Sequence, residues 1–184
     1  IELAETAGLI NELDHVIFEK ILETINQLKE QGCNLPVAFN ASSYDLVEPS
    51  YFEQIKTKIE EYSILPSMLE LEVTETQAIS NYSLIKEALE RFIALGMKVS
   101  IDDFGTGWSG FSRVAAISPD YIKVSRELLV ASQVGLTEEL EELKVICGLK
   151  NTMLIYEGIE CIEQLELAKA YGSNLYQGYY LSFP

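Results

Sequence analysis

The sequence of 184 residues is poor in histidine, cysteine and basic residues, and each shortage argues against a class of protein. One histidine and three cysteines without a C-x-x-C pair do not suit a zinc centre, and the cysteines are predicted to be reduced thiols. Thirteen basic against twenty-nine acidic residues give a net charge of −16, which argues against binding of DNA or RNA through phosphate neutralisation. No apolar run reaches about 18 residues, so no membrane-spanning helix is predicted.

Predicted strands and helices alternate along the chain, which indicates an α/β fold with a parallel sheet. The predicted strands are 34–41, 68–74, 97–101, 120–124, 152–158 and 174–180, and the predicted helices are 11–31, 50–62, 81–95, 109–116, 137–149 and 161–171. No strand is followed by G-x-G-x-x-G or G-x-x-x-x-G-K, so the usual nucleotide-binding open sheets lack support. These patterns leave a closed barrel and an open doubly wound sheet as alternatives.

Two adjacent carboxylates, Asp102 and Asp103, stand between an apolar strand and a glycine-rich loop. Neighbouring side chains of a strand point to opposite faces, so both can serve one site only if the strand ends there and the backbone bends. Gly105 and Gly107 supply the necessary freedom. Paired carboxylates at such a bend suit hard divalent cations, whereas a solvated surface turn is the alternative.

Polar residues also stand at or near the ends of six predicted strands. They are Asn40, Glu72, Asp102, Lys123, Glu157 and Gln177. In a (β/α)₈ barrel the carboxyl ends of all strands surround one mouth, where the chemistry takes place. Six such residues, spaced by about one βα unit, favour a shared site over six independent solvated turns.

Several motifs, in order, resemble those of the EAL domain. They are Phe39-Asn40-Ala41-Ser42, Leu71-Glu72-Val73-Thr74-Glu75-Thr76, Ile101-Asp102-Asp103-Phe104-Gly105-Thr106-Gly107, Ile122-Lys123-Val124, Glu157-Gly158-Ile159-Glu160 and Gln177-Gly178-Tyr179-Tyr180. That family comprises bacterial phosphodiesterases that hydrolyse cyclic di-GMP, and inactive relatives that bind cyclic di-GMP or proteins. The resemblance implies a TIM-like (β/α)₈ barrel with one antiparallel strand, and residues 1–184 as a single EAL domain. Its first strands, with the Glu-Ala-Leu glutamate, are expected upstream of Ile1.

The resemblance further implies a site for two cations, Mg²⁺ or Mn²⁺. Asn40, Glu72 and Asp102 match the ligands of one cation. Asp102 would bridge to the second cation, which Asp103 and Glu157 would also hold. The all-oxygen ligand set independently favours these hard metals over softer ones.

Other matching residues have roles in catalysis, substrate binding and assembly. Lys123 matches the lysine that orients the attacking water, with Glu157 as the second catalytic residue. Gln177 and Glu160 match positions that line the substrate pocket. Glu75 and the loop after Asp103 match the segment that couples metal binding to a homodimer contact.

Five residues depart from the family pattern, and two of them, Trp108 and Gly110, are mild changes in the loop after Asp103. Ser125 replaces an aspartate, Phe183 stands where a basic residue is common, and Tyr156 replaces a small residue, where its bulk is expected to intrude on the pocket mouth. The expected function is hydrolysis of cyclic di-GMP to linear pGpG by a two-metal mechanism. The alternative is an inactive EAL domain that acts as a cyclic di-GMP receptor or protein-interaction module. A cytoplasmic location is expected, alone or as part of a membrane-anchored protein with an upstream sensor or GGDEF domain.

Overall fold

The computed structural model describes residues 10–106, 111–133, 138–173 and 175–183. In chain order the elements are α1 (Ile10–Glu30), β1 (Val37–Asn40), α2 (Ser43–Val47), α3 (Pro49–Glu61), a 3₁₀ turn (Pro66–Met68), β2 (Leu69–Thr74), α4 (Glu75–Ile79), α5 (Tyr82–Leu95), β3 (Lys98–Phe104), α6 (Phe111–Ile117), β4 (Tyr121–Val124), α7 (Arg126–Gln133), α8 (Glu138–Lys150), β5 (Met153–Tyr156), α9 (Ile162–Ala170) and β6 (Leu175–Tyr176). None of the helices in these ranges is both long enough and apolar enough to cross a membrane.

The fold is of the α/β class, and its six described strands follow the order of the sequence, β1 to β6. An open doubly wound sheet reverses its strand order at a switch point, whereas a barrel adds each strand beside the last. The order therefore corresponds to part of a TIM-like barrel. The described residues divide into two compact units, one up to Glu72 together with Ser83–Lys98, the other Val73–Tyr82 and from Val99 onward.

In the first unit, α1 packs on β1 through an apolar stripe. Phe18, Leu22 and Ile25 are buried, and the ring centroids of Phe18 and Phe39 lie 4.9 Å apart. Strand β1 pairs in parallel with β2, and Asn40 at the end of β1 is opposite Glu72. The pairing therefore brings these two predicted metal ligands next to each other.

In the second unit, strands β3, β4, β5 and β6 are parallel neighbours in that order. Strands β4 and β5 pair over their whole length, from Tyr121 opposite Met153 to Val124 opposite Tyr156. Because parallel strands present their carboxyl ends at the same edge, side chains at these ends are brought together.

Three helices of the structure, α2, α4 and α7, were not predicted from the sequence. Each follows a hydroxyl residue (Ser42, Thr74 or Ser125) whose side-chain oxygen accepts the N–H of the residue three positions later, at 3.1 to 3.3 Å. Such N-caps are a sequence signal that overall periodicity does not reveal in a helix of five to eight residues.

Two strands are shorter than predicted. Strand β1 begins only at Val37, after a proline that has no N–H to donate to a sheet. Strand β6 ends at Tyr176, because the chain then turns and Tyr180 donates its N–H to the carbonyl oxygen of Ile159 at 2.9 Å. The predicted starts of two helices, at residues 109 and 137, lie outside the described residues.

Candidate functional site

The two adjacent aspartates lie in a bulge of β3. The strand does not end at them, as the sequence suggested, but runs through both to Phe104, and its pairing with β4 shifts between Ile101 and Phe104. Asp103 adopts a left-handed backbone conformation, with φ of 53°, and its N–H donates to Oδ1 of Asp102 at 2.8 Å. This bulge, rather than the glycines alone, supplies the bend that lets neighbouring carboxylates serve one site.

Asp102, Asp103 and Glu157 form a carboxylate cluster. One oxygen of each lies within 4.8 Å of the others. Lys123, only 8% exposed, places Nζ 3.2 Å from Oδ1 of Asp102 and 2.9 Å from Oε1 of Glu157. Glu157 follows β5 and is fixed by its N–H, which donates to the carbonyl of Val124 at 3.1 Å. The second unit therefore brings four of the predicted site residues together.

The donor set of this cluster fits a hard divalent cation. Two oxygens bound to one ion lie at most about twice the metal–oxygen distance apart, about 4.2 Å for Mg²⁺ and about 5 Å for Ca²⁺. Carboxylate oxygens within 4.8 Å of one another are close to this spacing. Burial and the neighbouring charge of Asp102 raise the pKa of Asp103, although Lys123 opposes the shift. Three carboxylates facing one lysine leave net negative charge, which a cation would compensate.

Glu75 ties the start of α4 to the turn after β3. Its side chain is 1% exposed, and its Oε2 accepts the N–H of Gly105 at 2.9 Å. Gly105 has φ of 102°, and a Cβ there would lie 2.6 Å from the side chain of Leu128, so only glycine fits. The predicted support of this loop by Glu75 thus has a direct contact, while Gly107 lies outside the described residues.

Glu160 lies beside the cluster in the loop after β5. Its Oε2 accepts a hydrogen bond from Nη2 of Arg126, and its N–H donates to Oε1 of Gln164 at 2.7 Å. Gly158 makes this arrangement possible, because a Cβ there would lie 2.7 Å from Cβ of Arg126. Sequence reasoning missed Arg126 and Gln164, whose positions after a strand and inside a helix carry no motif of their own.

A cavity of about 550 Å³ adjoins the cluster and is lined by Glu157, Gly158, Glu160, Gln177, Gly178, Tyr179, Ser182 and Phe183. Gln177 is anchored through its backbone, whose N–H donates to the carbonyl of Tyr156 at 2.8 Å and whose carbonyl accepts from Ile159 at 3.0 Å. A Cβ on Gly178 would lie 2.2 Å from backbone atoms of Ile159, so the close approach of the two loops requires glycine. Both predicted substrate-binding residues, Glu160 and Gln177, therefore line one cavity.

Three of the residues that depart from the family pattern have structural roles of their own. The prediction that Tyr156 intrudes on the pocket mouth was wrong: its side chain is fully buried, and it is absent from the described residues that line the cavity. Burial and the nearby Tyr171 and Cys147 raise its pKa. Ser125 caps α7, and Phe183 stacks on Tyr179 at the cavity.

Asn40 and Glu72, from the first unit, form a pair of their own. They are partners in the β1–β2 register, and the N–H of Ala41 donates to the carbonyl of Glu72 at 3.0 Å. Their assignment to the same cations as Asp102 stays a prediction.

The EAL domain family matches residues 1–184. The chain is 31% identical over 191 residues to the cyclic di-GMP phosphodiesterase NbdA of Pseudomonas aeruginosa, covering all of the chain and 24% of that protein. It is 27% identical over 186 residues to the cyclic di-GMP phosphodiesterase PdeR of Escherichia coli, covering all of the chain and 28% of that protein. The chain thus spans about a quarter of the length of these relatives.

A solved structure with the same fold is the PaMucR phosphodiesterase in complex with c-di-GMP. It matches with a TM-score of 0.89 and 26% identity, over 100% of this chain and 75% of that one. The family match over residues 1–184 is consistent with the strand order and with the carboxylate cluster at the ends of β3 to β5. The chain belongs to the EAL domain family.

Proposed function

We propose that this chain hydrolyses cyclic di-GMP to linear pGpG with the help of two divalent cations. The observation that carries the proposal is the cluster of Asp102, Asp103 and Glu157, with Lys123 between two of its carboxylates. The phosphodiesterase activity of two relatives and the c-di-GMP complex of a third protein supply the substrate class.

The residues of the cluster divide the work of the reaction. Asp102, Asp103 and Glu157 would hold Mg²⁺ or Mn²⁺, which when bound would supply charge neutralisation of the phosphodiester and activation of water. The ammonium of Lys123 is a hydrogen-bond donor and would orient the attacking water and a phosphate oxygen. In the net reaction, the water oxygen forms a bond to phosphorus and the P–O3′ bond breaks, which leaves a 5′-phosphate and a protonated 3′-oxygen.

Glu157 is suited to take the proton from the attacking water. It lies at the border between the carboxylate cluster and the cavity, because it belongs to both. A carboxylate at that border can accept a proton from water while the cavity holds the rest of the dinucleotide. Glu160 and Gln177 would bind the substrate from the other walls.

The experiment compares the intact wild-type protein with Asp102→Ala and with Glu142→Ala, which removes an exposed carboxylate on α8. Calorimetry should show Mn²⁺ binding to the wild type and to Glu142→Ala, and its loss in Asp102→Ala. Chromatography of the products should show conversion of cyclic di-GMP to pGpG, reduced at least about 100-fold by Asp102→Ala.

Two results would contradict the proposal. Unchanged Mn²⁺ binding in Asp102→Ala would mean that the metal site is misplaced. Tight binding of cyclic di-GMP by the wild type with no Mn²⁺-dependent product would instead support an inactive receptor. A homodimer through the loop after Asp103 stays a prediction, because residues 107–110 lie outside those described.

A further inference from the structure

A second cavity lies between α8, the amino ends of β5 and β6, and the turn that follows α9. Its volume is about 410 Å³. Pockets that bind small molecules usually have volumes of about 300 to 1,000 Å³. Glu157 follows the opposite, carboxyl end of β5. The cavity is therefore separate from the carboxylate cluster.

The walls of this cavity on the side of the sheet are apolar. Met153 and Leu175 are 49% and 37% exposed, so apolar surface faces solvent there. The hydroxyl groups of Thr152 and Ser173 are already committed, because they donate to backbone carbonyl groups at 2.8 and 2.5 Å. The carbon body of a ligand would bury this surface, which is favourable in proportion to its apolar area.

Gly148 opens the cavity from the side of α8. Glycine inside a helix is unfavourable relative to alanine. A Cβ at Gly148 would nevertheless meet no atom of the described residues within 4 Å, and its backbone is not left-handed. Neither space nor backbone conformation therefore requires glycine here. A residue that breaks a local rule without a structural reason is expected at a ligand site, and the missing side chain leaves room in the cavity that Gly148 lines.

Lys144 supplies positive charge to the lining of the cavity. It lies four residues before Gly148, and residues at this spacing share one face of a helix. A Cβ on Gly172 would lie 3.5 Å from Cε of Lys144, so the lysine stem passes over that glycine. Within the described part of the chain, Lys86 and Lys169 form ion pairs with glutamates, whereas Lys144 forms none. Its ammonium is thus available to an anionic ligand.

We propose that this cavity binds a small carboxylate with an apolar body, such as a short fatty acid. The carboxylate pairs with Lys144, and the carbon chain packs on Met153 and Leu175 in the space beside Gly148. A single ammonium compensates a single negative charge, so a carboxylate is favoured over a phosphate dianion in a chain of net charge −16. The inference does not rest on the proposed function, because none of the described residues that line this cavity belongs to the carboxylate cluster.

The test is calorimetry of the intact protein with octanoate and with octanol, in EDTA so that no cation at the carboxylate cluster can bind the carboxylate. The wild type should bind octanoate more tightly than octanol. Lys144→Met should weaken octanoate binding about tenfold, through the loss of one charge-assisted pair, and leave octanol binding unchanged. The matched control is Lys150→Met, which removes an exposed ammonium of the same helix and should change neither affinity.

A variant that fills the cavity tests the location of the site. Gly148→Leu places a side chain where the structure leaves open space and replaces glycine with a good helix former. The protein should therefore stay folded, with an unfolding temperature at or above that of the wild type, and the binding of both ligands should weaken at least about tenfold. If the wild type does not bind octanoate at millimolar concentration, or if both cavity variants bind it as tightly as the wild type, the proposal is wrong.

Discussion

Replacing Lys123 with methionine tests the electrostatics of the carboxylate cluster. The substitution keeps the length of the side chain and removes the ammonium that lies 3.2 Å from Oδ1 of Asp102 and 2.9 Å from Oε1 of Glu157. Three carboxylates would then face one another without that compensation. The free energy of unfolding should fall. With the proposed role of Lys123 in orienting the reacting groups, kcat for cyclic di-GMP should also fall about 10²- to 10⁴-fold.

The magnitude follows from the distances and the burial. At an effective dielectric constant of about 20, each pair near 3 Å has a gross attraction of about 5 kcal/mol, most of which desolvation offsets. Removing one partner of a buried pair costs about 3 to 5 kcal/mol. The side chains of Asp102 and Glu157 keep 16% and 18% of their surface exposed, so we expect a loss near the lower limit, about 3 kcal/mol.

The assay is urea unfolding of the intact protein, in EDTA and in excess Mn²⁺. In EDTA, Lys123→Met should unfold at a lower urea concentration than the wild type, and Mn²⁺ should reduce that difference because the cation restores positive charge to the cluster. The matched control is Lys169→Met, whose ammonium lies 2.9 Å from Glu166 on an exposed surface and should leave the midpoint unchanged. Equal midpoints for Lys123→Met and the wild type in EDTA would refute the reasoning.

Two further predictions concern stability away from the reacting groups. Burial and a hydrogen bond with Asp45 raise the pKa of Asp14 from 3.8 to about 6. Between these two pH values the folded state keeps a proton that the unfolded chain loses. The free energy of unfolding therefore falls as the pH rises from about 4 to about 6. Asp14→Asn should therefore stabilise the protein at pH 7, by about 1 kcal/mol after allowance for solvent screening, and have little effect at pH 4, as urea unfolding at the two pH values would show. Gly178→Ala should destabilise the protein by about 3 kcal/mol, because the added Cβ would overlap the backbone of Ile159. The control is Gly32→Ala, where φ is 78° and no atom lies within 4 Å of the added Cβ. It should cost about 1 kcal/mol in the same assay.

Sequence periodicity predicted β2 closely, because burial follows from alternation, and the strand ends at Thr74 as predicted. Leu69, Leu71 and Val73 of β2 are all fully buried, as the strict alternation indicated. A parallel sheet then brings residues that follow neighbouring strands to one edge, so Lys123 and Glu157 were expected at one site, and the structure adds the ion pair between them.

The remaining features depend on tertiary contacts that periodicity does not carry. The bulge at Asp103 requires a left-handed backbone conformation, which is energetically unfavourable for residues other than glycine. The hydrogen bond from its N–H to Asp102 helps to stabilise this conformation. The Tyr179–Phe183 stack depends on a turn fixed by the loop after β5. Neither feature has a local pattern, so the sequence predicted the cluster but not the shape of the cavity beside it.

The departures from the family pattern do not separate an enzyme from a receptor, since Ser125 caps a helix and Tyr156 packs away from the cavity lining. The carboxylate cluster is more informative, because it is electrostatically costly. Burial and Asp102 raise the pKa of Asp103, so holding it ionised beside two further carboxylates works against folding. Neutral side chains would serve a purely structural role at a lower cost in electrostatic free energy. Clusters of like charge that destabilise the fold are expected where a protein binds or transforms a ligand. A cation is the ligand that turns this repulsion into attraction, which is why a metal site accounts for the cluster better than a purely structural role.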